Sequence, residues 1–111
     1  MIFTNHTFFT SASEASNGTA FRVPGKCEPL SNIVVELTGT PSSKTLIFEA
    51  NSDGINYVPI FAENLSTGTS ASQTIGTGNE LWKINLTGLD YVRCRIGSIS
   101  GSCTAIGKVV I

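Results

Sequence analysis

Between Leu81 and Ile96 the chain alternates. Trp82, Ile84 and Leu86 are interleaved with polar neighbours, and after the break Thr87-Gly88-Leu89-Asp90 the pattern returns in Val92, Cys94 and Ile96. A period of two sends successive side chains to opposite faces of a strand, so both stretches predict strands with one face in a core. Their outward faces then carry Lys83 and Asn85 on the first, and Tyr91, Arg93 and Arg95 on the second. Ile33, Val35 and Leu37 alternate in the same way, as do Leu46, Phe48 and Ala50. Asn51-Ser52-Asp53-Gly54 predicts a tight turn, because Asp-Gly supplies positive-φ positions, and Ile55 to Ala62 returns as a strand whose Pro59 marks an edge or a bulge. Phe21 to Val23 reads as a short strand ended by Pro24-Gly25. Gly97 to Gly101 reads as a turn, and Cys103 to Ile111 as a terminal strand with a bulge at Gly107. Two segments lack the alternation. Thr10 to Gly18 is small and polar, and Asn64 to Asn79 is rich in Ser, Thr and Gly. Both predict loops, the second one flexible or ordered by a partner.

The charges choose between two ways of joining the strands at Leu81 and Asp90. A hairpin folded about Gly88-Leu89 would place Lys83 opposite Arg95 on one outer face, and like charges directly opposed destabilise a pair. An arch avoids this by putting the two strands in opposing sheets, with Trp82, Ile84 and Leu86 facing Val92, Cys94 and Ile96 across the core. Val35-Glu36-Leu37-Thr38-Gly39 and Ile84-Asn85-Leu86-Thr87-Gly88 also echo one another, each closing a strand before the next begins.

Composition narrows the class. The chain of 111 residues suits one domain, 1–111, with an N-terminal arm or strand and loop over 1–18 and a long loop over 64–79. Charged residues are only 14%, whereas there are 13 Ser, 13 Thr and 11 Gly. That balance disfavours a helical bundle and favours strands joined by turns. The expected fold is all-β: a single β-sandwich, jelly-roll or Ig-like, of about eight antiparallel strands. A net charge of −1 implies no general attraction to nucleic acid or to an anionic membrane. No apolar run approaches the roughly 20 residues of a membrane span, and Met1 to His6 does not follow a signal-peptide pattern, so synthesis and folding in a cytosol are expected. Cys27, Cys94 and Cys103 are odd in number and lack metal-ligand spacing, which argues against a disulfide framework or a zinc site. Cys94 and Cys103 read as small core residues on neighbouring strands. The sequons at Asn5, Asn17, Asn64 and Asn85 carry no weight in a chain so rich in Asn and Thr.

Candidate chemistry is sparse. His6 has no motif around it, and Gly97-Ser98-Ile99-Ser100-Gly101 puts Ile where a nucleophile elbow needs Ser. Gly25-Lys26-Cys27 and Gly76-Thr77-Gly78 lack the spacing of phosphate loops. Asn51, Asp53 and Asn56 around Gly54 faintly resemble a calcium loop, but the loop is too short and lacks the terminal bidentate Glu, so they read as a hairpin turn. No catalytic residue, metal site or cofactor is expected. Trp82 shares a face with Ile84 and Leu86 and reads as core. The remaining candidate is a cationic set, Lys83, Tyr91, Arg93 and Arg95, suited to docking an acidic protein surface or else balanced by Glu36 or Glu49 as an ordinary strand face.

Phe48-Glu49-Ala50-Asn51-Ser52-Asp53-Gly54-Ile55-Asn56-Tyr57, followed by Asn79 to Arg95, resembles small β-sandwich proteins encoded among the virion structural genes of tailed bacteriophages and prophages. The similarity spans residues 31 to 111, with Tyr57 where an aromatic is usual and Cys94 and Cys103 where Val is usual. The resemblance implies a non-enzymatic virion structural protein made in the bacterial host cytoplasm. It would decorate the capsid or belong to the tail and bind other virion proteins, as a homo-oligomer in a symmetric assembly. The alternative is a carbohydrate-binding module for host recognition, with a glycan as partner.

Overall fold

The structure, a computed structural model, describes residues 3–24, 32–74 and 76–110. Among them are eleven strands and no helix: β1 (Phe3–Ala12), β2 (Phe21–Arg22), β3 (Asn32–Gly39), β4 (Ser43–Asn51), β5 (Val58–Pro59), β6 (Ala62–Asn64), β7 (Ser70–Ala71), β8 (Gln73–Thr74), β9 (Glu80–Asn85), β10 (Tyr91–Ser100) and β11 (Cys103–Val110). They form two antiparallel sheets. Sheet A runs β1-β11-β3-β9-β6-β7, and sheet B runs β2-β10-β4-β5, with β8 also paired to β4.

The core is where the alternation put it. Ile33, Val35 and Leu37 of β3 and Trp82 and Ile84 of β9 bury against Leu46, Phe48 and Ala50 of β4 and Val92, Cys94 and Ile96 of β10. Phe48 and Trp82 touch across the interface, their ring centroids 5.0 Å apart. The expected arch is present: β9 lies in sheet A and β10 in sheet B, so Lys83 and Arg95 never meet. The two echoing segments close β3 and β9, which are paired neighbours. Asn51 to Gly54 opens the turn from β4 towards β5, and the Pro59-bearing β5 is an edge strand.

Several boundaries differ from the sequence expectation. Of the arm or strand expected at the N-terminal end, the described part from Phe3 is a strand: β1 pairs along β11 as far as Ala12, into the stretch read as a loop, and buries Phe8. Its register shifts between Thr7 and Phe9 and again before Ala12, so the bulges of this edge lie on β1. Gly107 is not a bulge. It pairs regularly with both His6 and Val35, and its missing side chain leaves room for Phe8 and Ile33. Gly97 lies inside β10 at a register shift, and the turn itself is Gly101-Ser102, where φ of Gly101 is 95°. Residues 55–62 do not form one strand; they divide into β5 on sheet B and the start of β6 on sheet A. Cys94 and Cys103 are buried free thiols, but β10 and β11 belong to opposing sheets and do not pair. Cys27 and the Gly25-Lys26-Cys27 reading fall outside the described residues.

The long loop over 64–79 also departs from expectation, since it contributes β7 to sheet A and β8 to sheet B. An interior polar cluster fixes its far end. Lys44 faces inward from β4 and is buried, with Nζ 2.7 Å from Glu80 Oε2 and 2.6 Å from the Gly76 carbonyl. Thr74 Oγ1 and, at 3.1 Å, Trp82 Nε1 donate to the other Glu80 oxygen. Every carboxylate oxygen thereby has a partner, as a part-buried charge requires.

Candidate protein-docking face

The outer surface of sheet B is set by the parity of β10. With Val92, Cys94 and Ile96 inside, Tyr91, Arg93 and Arg95 must point out. Opposite Arg93 on β4 stands Glu49, which is only 6% exposed although it faces outward. Two guanidiniums cover it. Arg93 places Nε and Nη2 each 2.8 Å from Oε1, and Arg95 places Nε 3.1 Å from Oε2. The Arg93 guanidinium also lies 3.8 Å from the centroid of the Tyr57 ring, a cation–π contact that joins the 51–57 turn to this face. On the other side of β10, Arg22 of β2 sits opposite Tyr91, and Arg22, Val23, Asp90 and Tyr91 line a small pocket of about 130 Å³.

Three of the four cationic-set residues are therefore brought together, and Lys83 is not. It projects from the outer face of sheet A, where its Nζ is 3.2 Å from Glu63 Oε1 in an exposed pair that contributes little. The arch that separates β9 from β10 also separates these residues. Sequence reasoning missed Arg22 and Tyr57, which join the face through strand pairing and a turn. It missed as well the apolar run beyond them: Ile55, Val58 and Phe61 are 76%, 56% and 73% exposed. The single strand expected over 55–62 hid that exposure, since a continuous strand would have turned alternate side chains inward.

The other candidates have structural roles. His6 Nε2 donates to the Thr19 carbonyl at 2.8 Å while its ring packs edge-on against Phe8 and Phe21. Asp53 Oδ1 accepts from the backbone of Ile55 and Asn56, and its other oxygen accepts from the Asn56 side chain. The Asn56 and Ile55 amides hold this carboxyl below its ordinary range, as a turn-capping carboxylate should be. Among the described residues no three His, Cys, Asp or Glu side chains cluster as a metal site would need. Burial pushes both the Cys94 and the Cys103 thiols upward, which suits inert core residues. Trp82 is 4% exposed and belongs to the core.

Residues 3–109 match the XepA family. The chain belongs to that family. It is 29% identical over 107 residues to the SPbeta prophage-derived protein YomS of Bacillus subtilis strain 168, covering 96% of this chain and 86% of YomS. The crystal structure of the SPBc2 prophage-derived YomS has the same fold, with a TM-score of 0.89 at 27% identity, covering 99% of this chain and 94% of that one. The PBSX exported protein XepA matches with a TM-score of 0.88 at 27% identity over 97% of this chain, which spans only 37% of XepA. The family is phage-associated, in line with the resemblance to phage β-sandwich proteins. The match begins at residue 3 and so takes in β1, upstream of the region where the motifs lie.

Proposed function

We propose that this chain is a non-enzymatic, phage-associated structural protein of the virion, placed on the capsid or the tail, which acts by protein–protein binding in a multi-copy assembly. The outer face of sheet B carries the reading. It joins Tyr91, Arg93 and Arg95 to Tyr57 of the adjoining turn, and the segment 55–61 at the edge of the same sheet leaves Ile55, Val58 and Phe61 exposed. Aromatic and Arg side chains with apolar neighbours are the residue types that dominate protein interfaces, and an apolar side chain left in water gains by being covered. Kinship with a prophage protein over nearly the whole domain supplies the biological setting. A glycan-binding face would instead offer several exposed aromatics beside Asn, Asp and Glu. Among the described side chains Phe61 is the exposed aromatic, and Trp82, the best stacking platform by residue type, is in the core.

Mass spectrometry of washed particles from the producing lysogen, with copy numbers, tests this. The chain is expected in a fixed ratio to a capsid or tail subunit. Abundance in the lysate together with absence from washed particles would overturn the reading.

A further inference from the structure

Two guanidiniums share one buried carboxylate on the outer face of sheet B, and they do not share it equally. Arg93 spends Nε and Nη2 on Glu49 and lies against Tyr57. Arg95 spends only Nε, and its side chain remains 36% exposed. Among the described residues its Nη groups have no other partner. One positive charge is thus left over, and it is held in place: the Glu49 bond fixes the plane of the guanidinium and leaves the Nη edge of the fork available.

A shallow pocket of about 350 Å³ lies beside this group, lined by Arg95, Ile96 and Gly97 of β10 and by Ala15, Ser16 and Asn17. Its construction is specific. Gly97 lies where β10 slips register against β4, and its missing side chain leaves room for Ile47 and Thr45 of that strand. The 15–17 segment is tied to the opposite edge of β10 by a pair of backbone hydrogen bonds between Ser16 and Ile96, of 3.2 and 2.7 Å. Ser16 Oγ accepts from the Gly18 amide at 3.0 Å, which leaves its hydroxyl proton to donate elsewhere.

We propose that this pocket receives a carboxylate side chain, Glu or Asp, from a partner protein, with the Arg95 Nη edge as the bidentate anchor. The inference deepens the docking role given above and rests on it. A carboxylate matches the pocket in shape and in charge: it is planar like the guanidinium, and its single negative charge answers the single uncompensated positive one. A phosphate brings a larger charge that Glu49, directly behind Arg95, opposes.

The test is a titration of the intact chain, labelled with ¹⁵N, with a capped tetraglutamate peptide, followed at the Arg95 Nε–H signal and at the amides of Ser16, Asn17 and Gly97. Shifts confined to these signals are expected. Arg95→Gln should weaken binding by about tenfold or more, the usual cost of losing a charge-assisted bidentate contact. Arg95→Lys should restore part of it, and Lys83→Gln, on the other sheet, should match the parent. Arg93 still holds Glu49 in the Arg95 variants, so their melting should stay near that of the parent, which is measured alongside. No shift at these signals, shifts centred elsewhere, or equal binding of inorganic phosphate would each overturn the proposal. Particle occupancy is a separate measurement: a chain present on particles but blind to tetraglutamate refutes the pocket alone, and the converse refutes the virion reading alone.

Discussion

Lys44 places an ammonium group inside the sandwich, and the fold accommodates it by bringing Glu80 to it from across the core. Burial pushes the Glu80 carboxyl up, but hydrogen bonds from Lys44, Thr74 and Trp82, together with the Lys44 charge, outweigh that and leave it below its ordinary value. A carboxyl depressed in the folded state contributes stability above its unfolded pKa and loses it as pH falls through the folded value. Urea denaturation should therefore show a steeper stability loss below about pH 4.5 in the parent than in the Glu80→Gln variant. At neutral pH the same variant leaves the Lys44 charge buried without its counter-ion and should cost about 3 kcal/mol. Equal stability of parent and variant at pH 7 would show the pair to be idle. Lys44 shares its parity on β4 with Leu46, Phe48 and Ala50, so the alternation itself pointed the side chain inward. Charge alone argued for the outside, and the partner that reverses the argument lies 36 residues away, beyond the reach of any local pattern.

Strands whose two faces differ were legible; strands defined by what they pair with were not. The alternations in β3, β4, β9 and β10 fixed their inward faces, and the opposed charges of Lys83 and Arg95 fixed the arch. By contrast β7 and β8 are two residues each, too short for periodicity, and exist because neighbouring strands offer them partners. Glycines were misread for the same reason. A bulge and a close approach both call for Gly, and only the neighbours tell them apart. At Gly107 a Cβ would run into Ile33 and come within 2.9 Å of Phe8 Cε2, both in the core between β1, β11 and β3. Gly107→Ala should then destabilise by about 1 to 3 kcal/mol through overpacking. Gly78→Ala, at a position with open space around it, should do far less. If chemical denaturation shows the two substitutions to be equivalent, the close packing of β1 on β11 is not a constraint.

For the whole molecule, a net charge of −1 leaves little long-range repulsion between copies, so short-range contacts decide what it joins. The docking face mixes two kinds of contact with different salt behaviour. Exposed ionic contacts such as that proposed for Arg95 weaken when the screening length falls from about 10 Å at 0.1 M salt to about 3 Å at 1 M. Contacts made by Ile55, Val58 and Phe61 persist, because burial of apolar surface does not depend on charge. On a symmetric particle many modest contacts act together, and a small loss at each site is multiplied by valency. Phe61 is the informative position, since at 73% exposure it supports little of the fold. Phe61→Ser is expected to melt with the parent, yet to be depleted from purified particles, with the loss most marked in washes at 1 M salt where the ionic contacts are already screened. Unchanged occupancy under those washes would mean that the exposed segment of residues 55–61 is not part of the contact surface, and that the docking role rests on the Arg and Tyr face of sheet B alone.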